Sequence, residues 1–278
     1  MISFTNKVVL VTGGGAGIGR AIAEGFAAAG AKIVVAEINE ARAADIRRAL
    51  EAEDVETLVS VTDVRIAAQV DALLSEVGHR FGGLDVLVNN VGDYLGIVKP
   101  FEQNSDDEFE RLYAINLKSI FQVTRAAIPL LRKRAPGGSI ISISSIEAFR
   151  GIPMTTAYSA FKHAITGFTR SLALELGPAG IRVNAIAPET TETPQVPVST
   201  MIAPEYRENI PRWIPLGRFG RPSDAAGSAL FLASDLAAWI TGVTINLDGG
   251  ALAAAGWYRD PKGMWTNIPV VSDNGFKF

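Results

Sequence analysis

The sequence predicts an α/β fold: a single domain built on a doubly wound, seven-stranded parallel sheet with helices on both faces. Three observations lead there. Seven short, β-branched runs recur through the 278 residues. Nearly all are apolar at successive positions, as strands buried on both faces are, and do not alternate as half-exposed strands do. Longer stretches of helical period separate them, and strands that alternate with helices pair in parallel through right-handed crossovers.

The strands are expected at 7–11, 32–36, 56–61, 84–88, 139–142, 182–186 and 243–246, each bounded by polar or glycine-rich sequence. The helices are expected at 19–29, 40–52, 67–81, 106–134, 158–176 and 223–233, where Ala, Leu, Glu and Arg dominate. No long Ser/Gly/Pro linker and no internal repeat interrupts this rhythm, so residues 1–252 read as one domain. Two segments depart from it. Residues 188–215 carry prolines at 188, 194, 197, 204, 211 and 215, which excludes central strands and long helices, with room for a short helix at 206–210. A connection of that length reads as a lid, over 189–215, anchored by Met201, Ile202, Tyr206, Ile210, Trp213, Ile214 and Leu216. The extension 253–278 carries Trp257, Tyr258, Trp265, Phe276 and Phe278, too much apolar surface to leave in water. It is expected to pack, either closing the pocket of its own or a neighbouring subunit or docking at an oligomer interface.

Composition narrows the function classes. Lys and Arg number 26 against 29 Asp and Glu, a net charge of −3, which offers no basic footprint for nucleic acid or an anionic membrane. There is no cysteine, so disulfides, thiolate metal sites and cysteine nucleophiles are excluded together. Two histidines, His79 and His163, lack paired ligand spacing and leave no material for a metal centre. The first residues run straight into a strand without a signal-peptide pattern, and no 18-residue apolar span occurs, so a soluble cytoplasmic protein is expected.

The chemistry begins where the first strand ends, in Val11-Thr12-Gly13-Gly14-Gly15-Ala16-Gly17-Ile18-Gly19. Glycines there permit a tight turn and close approach of backbone to a pyrophosphate, which the N–H groups of the following helix would hold. After the first strand of an alternating chain, this pattern points to a Rossmann dinucleotide site. Glu37 ends the second strand 18 residues beyond Gly19. A carboxylate at that place accepts hydrogen bonds from the adenosine ribose and repels a 2′-phosphate, so the cofactor is expected to be NAD, with Arg20 and Arg42 as the neighbouring cations that could oppose this choice.

Tyr158 and Lys162 are four residues apart at the start of a helical stretch and share one face. A phenol titrates near pH 10, and a nearby ammonium favours its ionised form. Bringing that pKa towards neutrality takes about 3–4 kcal/mol of differential interaction, and the result is a proton-transfer group suited to working pH. Ser145, 13 residues upstream at the end of the fifth strand, supplies a hydroxyl for the reacting oxygen.

With these motifs in order, residues 5–250 resemble the short-chain dehydrogenase/reductase family: the Thr12 to Gly19 turn, Asn89-Asn90-Val91-Gly92, Asn116, Ser145 and Tyr158-X-X-X-Lys162. The resemblance implies nicotinamide-dependent hydride transfer. It makes Tyr158 the acid/base and Lys162 the residue that binds the nicotinamide ribose and tunes Tyr158. Ser145 would orient the substrate oxygen, and Asn116 would hold a water in a proton relay through Lys162. Asp63 and Val64 match the family's adenine contact, Asn90 its contact beside the adenosine ribose, and Pro188 with Thr190, Thr191 and Thr193 its carboxamide-binding turn. It also implies a homo-oligomer, tetramer or dimer, assembled through helices at about 106–134 and 155–177.

Three departures stand out. Val91 replaces the family's alanine, a packing change. Glu189 replaces a glycine after Pro188, which restricts the backbone and puts a carboxylate near the substrate. The chain also continues 28 residues past Gly250. Substrate contacts are expected from Tyr94 with Asp93, from Glu147, from Glu189, and from Ser145 and Tyr158. Acids in a pocket bind hydroxyls or a cation and oppose anionic substrates, unless they point to solvent or pair locally. A neutral secondary alcohol, cyclic or polyhydroxylated, is therefore the expected small-molecule substrate. The alternatives are a 3-oxoacyl-[acyl carrier protein] reductase, disfavoured by Glu37 and the acidic charge, and a non-catalytic dinucleotide-sensing regulator, which would have no need of Ser145, Tyr158 and Lys162 together.

Overall fold

The computed structural model describes residues 2–198, 204–256, 258–260 and 262–266. Seven strands form one sheet: β1 (Val8–Thr12), β2 (Lys32–Glu37), β3 (Thr57–Val61), β4 (Val86–Asn89), β5 (Ser139–Ile143), β6 (Arg182–Pro188) and β7 (Thr244–Leu247). Every pair is parallel, in the order β3-β2-β1-β4-β5-β6-β7. The order reverses between β1 and β4. Such a switch point opens a crevice beyond the carboxyl ends of the strands.

The continuous apolar runs are explained by the two faces they serve. In β1, Val9 and Val11 join one core with Ile22 and Phe26 of α1 (Gly17–Ala28), Ile46 of α2 (Glu40–Ala52) and Ala229 of the last long helix. Val8 and Leu10 of the same strand join the other core. Its helical partners are Leu73 of α3 (Ala67–Phe81), Leu131 of α5 (Ser119–Arg134) and Leu176 of α6 (Thr156–Leu176). The last long helix, α7 (Pro222–Ala233), packs closely on α1 because Gly25 leaves Ala226 only enough room for a methyl neighbour, 3.3 Å from an added Cβ. No helix among the described residues is long and apolar enough to cross a membrane.

Four expectations need correction. The helix anticipated over 106–134 is two helices, α4 (Asp106–Tyr113) and α5, joined by a π-turn at Ala114–Lys118. A buried Asn116 sits in the wide turn and draws its side chain to backbone outside the helix, which helical periodicity does not report. Ser145 does not end β5; it lies two residues beyond and caps a 3₁₀ turn, Ile146–Ala148, by accepting the Glu147 N–H. Leu216 is 76% exposed and is not an anchor of the 189–215 segment, whereas Ile210 and Ile214 are buried. That segment contains a 3₁₀ stretch, Pro204–Arg212, broader than the short helix expected at 206–210. Met201 and Ile202 lie outside the described residues, as does the side chain of Tyr206.

Of the extension, β8 (Tyr258–Arg259) and β9 (Trp265–Thr266) form a two-stranded antiparallel ladder, and β8 lies against the 204–212 stretch. Trp257, Phe276 and Phe278 lie outside the described residues.

Candidate active site

A cavity of about 810 Å³ opens over the carboxyl ends of the strands, with Glu37 and Asp63 among the residues at one end and Ser145, Glu147 and Glu189 at the other. Its floor is the glycine turn. Gly13 and Gly17 have φ of 63° and 54°, a region costly for residues with a side chain. A Cβ on Gly19 would stand 2.3 Å from the Gly13 carbonyl oxygen, so only glycine lets α1 start so close to the turn. Ile18, Asn90 and Val64 line the same cavity. The Asn90 amide donates to the carbonyls of Thr12 and Gly13 at 3.0 and 3.2 Å, and the Thr12 hydroxyl accepts from the Asn90 N–H at 2.9 Å. Thr12 and Asn90 together fix the turn from both sides.

Glu37 is buried at the end of β2, with its carboxylate accepting the N–H groups of Gly15 and Asn39 at 3.1 and 3.0 Å. Asp63 is bound by the Arg65 guanidinium at 2.8 Å, and those hydrogen bonds hold its carboxyl below the usual carboxylate range. Arg20 is engaged by Glu24 and Asp45, away from the cavity, while Arg42 is exposed at its edge.

Asn116 is fully buried and holds the loop after β4. Its amide donates to the carbonyls of Asp93 and Leu112 at 2.7 and 2.9 Å, and its oxygen accepts the Asp93 N–H at 3.0 Å. Both amide hydrogens are thus engaged with backbone, so a water in a relay would not be held by them. Gly92 clears the approach of Lys162: an added Cβ would lie 2.8 Å from Nζ.

Tyr158 and Lys162 project from the first turns of α6, and the ammonium lies 5.5 Å from the phenol ring centre. Lys162 Nζ donates to the Ile143 carbonyl at 3.1 Å. Tyr94 meets Tyr158 edge to face, with ring centres 6.5 Å apart. Burial pushes the Tyr158 phenol well above its ordinary value, with the Ser145 hydroxyl opposing that rise and Glu147 and Asp93 adding to it. Burial likewise pushes Lys162 down to about 8, against the attraction of Asp93. The acidified phenol expected from the Tyr–Lys spacing is therefore not produced by the protein's own residues. Burial excludes the water that would stabilise either charge, so each group is driven towards its neutral form.

Glu147 and Glu189 both face the cavity, and sequence reasoning missed what joins them. The Arg150 guanidinium lies 2.9 Å from Glu147 and 2.8 Å from Glu189. Burial works against its charge, yet the two carboxylates hold its pKa above the ordinary value. The two acids pair locally, one of the two outcomes left open by the sequence. The signal was weak: an Arg three residues after a Glu is common, and its second partner is 39 positions away. Pro188 ends β6, and Thr191 and Thr193 line the cavity beyond it, where the Thr191 hydroxyl donates to the Glu189 carbonyl at 2.9 Å. Among the described residues no group of His, Asp and Glu could hold a metal, and His163 Nδ1 instead lies 3.0 Å from the Ser159 carbonyl.

A family model described as enoyl-(acyl carrier protein) reductase matches residues 13–251. Galactitol 2-dehydrogenase of Agrobacterium fabrum is 37% identical over 253 residues, 88% of this chain and 97% of its own. Among solved structures, a 7α-hydroxysteroid dehydrogenase complexed with NADH and 7-oxo glycochenodeoxycholic acid superposes with a TM-score of 0.83 at 33% identity. That match covers 90% of this chain and 95% of the other. A short-chain dehydrogenase from Burkholderia cenocepacia in complex with NADP gives a TM-score of 0.81 at 30% identity, covering 90% and 99%.

Proposed function

Because the chain belongs to the short-chain dehydrogenase/reductase family, we propose that it is an NAD(H)-dependent enzyme interconverting a neutral secondary alcohol and its ketone. One observation carries the reading: Ser145, Tyr158 and Lys162 share a cavity with a glycine turn too tight for any side chain. That turn fits a dinucleotide pyrophosphate, since Gly13, Ala16, Gly17 and Ile18 line the cavity where α1 starts. When bound, nicotinamide supplies the hydride acceptor or donor.

The residues divide the remaining work. Ser145 Oγ receives the Glu147 N–H and its hydroxyl meets that of Tyr158, so the two hydroxyls together would receive the reacting oxygen. Tyr158 stays protonated in its buried position and donates that proton to the oxygen during ketone reduction. In alcohol oxidation it must first lose the proton, a step that a cationic Lys162 favours. Asn116 keeps Asp93 and the loop before Tyr94 in place. Asp63, Val64 and Asn90 would hold the adenosine, and Pro188, Thr191 and Thr193 the carboxamide.

Glu37 supports NAD over NADP. Its carboxylate is buried and fixed by two N–H donors, so it cannot swing away from a 2′-phosphate, whereas Arg42 is exposed and costs entropy to order. The 189–215 segment is proposed as the substrate lid, since Glu189, Thr193 and Val196 line the cavity. A homo-oligomer is supported by exposed apolar residues: Phe121 on α5, Leu174 on α6, and Leu236 and Trp239 in the turn before β7.

The test is a panel of secondary alcohols and ketones followed by nicotinamide absorbance, with NAD(H) and NADP(H) in parallel. Turnover of a neutral secondary alcohol with higher kcat/KM for NAD(H) is expected. Activity confined to a 3-oxoacyl thioester with NADPH would establish the acyl-carrier reading instead, and dinucleotide binding without any turnover would make the chain a sensor.

A further inference from the structure

The Glu147–Arg150–Glu189 group is asymmetric. Glu189 Oε1 accepts from Arg150 Nη2 at 3.0 Å and from the Thr190 N–H and hydroxyl at 2.8 and 3.0 Å, and its Oε2 lies 2.8 Å from Arg150 Nη2. Glu147 Oε1 accepts from Nη2 at 2.9 Å and Nε at 3.3 Å, but Oε2 has only Nε, at 3.4 Å. A carboxylate oxygen has room for two strong donors, and Glu147 Oε2 has one weak one. Its side chain is 12% exposed, so water reaches it chiefly through the cavity it lines. Arg150 does not line that cavity and holds both acids from behind. Two carboxylates and one guanidinium leave a charge of −1, which rejects anions and favours a neutral hydrogen-bond donor.

The position of that acceptor matters. The Glu147 carboxylate lines the cavity near enough to the Tyr158 phenol for its charge to oppose ionisation there, and the Glu147 backbone N–H is bonded to the Ser145 hydroxyl at 3.2 Å, so the acid belongs to the same end of the cavity as the two hydroxyls. Resting on the dehydrogenase reading above, we propose that Glu147 recognises a second hydroxyl on the carbon next to the reacting carbinol, and that Arg150 is the positioning residue that aims it. The preferred substrates are then vicinal diols and polyols, or the matching hydroxyketones. Glu189, at the place where the family has glycine, supplies the second arm that keeps Arg150 from leaving with solvent.

The experiment compares alcohols on the same skeleton: cyclohexanol with the vicinal cyclohexanediols, and secondary butanol with its vicinal diol. Wild-type protein is expected to favour the diols at least ten-fold in kcat/KM. E147A should reduce that ratio at least ten-fold, mainly by raising KM for the diol. R150M should do the same although Glu147 is intact, and R150K, which keeps a cation, should recover part of the preference. If R150M does not fold, R150K carries this arm, with a ratio between those of wild type and E147A. Turnover of both alcohol classes with a ratio unmoved by E147A would overturn the recognition role. Equal losses on both classes in R150M, unrepaired by R150K, would overturn the positioning role. Absence of nicotinamide-linked turnover on either class would instead overturn the dehydrogenase reading beneath it.

Discussion

Tyr158 and Lys162 are shifted by the same burial, each in the direction that removes its charge. For Lys162 the folded value of about 8 lies below the ordinary 10.5. Between these limits the unfolded chain binds one more proton than the native one, so stability rises with pH across that window and is lost again as pH falls towards 8. The full contribution is about 3 kcal/mol at about 1.4 kcal/mol per pKa unit. The phenol acts oppositely: above its ordinary value of 10.0 the unfolded chain ionises first, and stability declines. Chemical unfolding of wild type and Lys162→Met from pH 7 to 10 should show the rise only in wild type. Tyr158→Phe should lower kcat by about 10²–10⁴-fold while the dinucleotide still raises Tm, because it removes the transferable proton and little else. Glu37→Ala should lower the NAD(H) to NADP(H) ratio of kcat/KM at least ten-fold, a change that competing like charge can supply. At this scale the sequence pointed to Ser145, Tyr158 and Lys162, side chains that the fold brings to one cavity, because they sit in short motifs. It did not show their charge states, which depend on burial contributed by distant segments.

Elements place these side chains, and two unusual turns do most of it. The glycine turn before α1 is legible in the sequence, since nothing but glycine satisfies both its positive φ at Gly13 and Gly17 and the contact at Gly19. Gly19→Ala should abolish dinucleotide binding by calorimetry, because the added methyl meets backbone and not a movable side chain. The π-turn at Ala114–Lys118 is not legible, because its apolar pattern continues that of the flanking helices. Asn116→Ala removes three hydrogen bonds, one buried and two half-buried, and takes away the partner of the Asp93 backbone. It should cost about 2–3 kcal/mol of unfolding free energy and raise KM through the loosened Tyr94 loop. The Arg150 bridge escaped notice for a related reason: residues 147 and 189 become neighbours only once β5 and β6 are paired.

On the scale of the molecule, the seven runs, their alternation with helices and their double burial gave away the sheet, while the tail past Gly250 remained open because isolated aromatics do not specify a partner. A dinucleotide at about 100 times its Kd should add about 2.7 kcal/mol to stability and raise Tm by about 5 °C or more. Trp239→Ser with Leu236→Ser should shift sedimentation towards a smaller species, since these side chains are exposed at 101% and 71% in the single chain. The sheet has a second consequence. Glu37, Asp63, Asn90, Ser145 and Glu189 all stand at or just past the carboxyl ends of different strands, while Lys7 and Asp85 tie down the opposite rim. Residues that touch the cavity thus gather at one rim of the sheet although they interleave along the gene with those that tie down the other, and descendants of this chain can diverge in what they act on while inheriting the same interior.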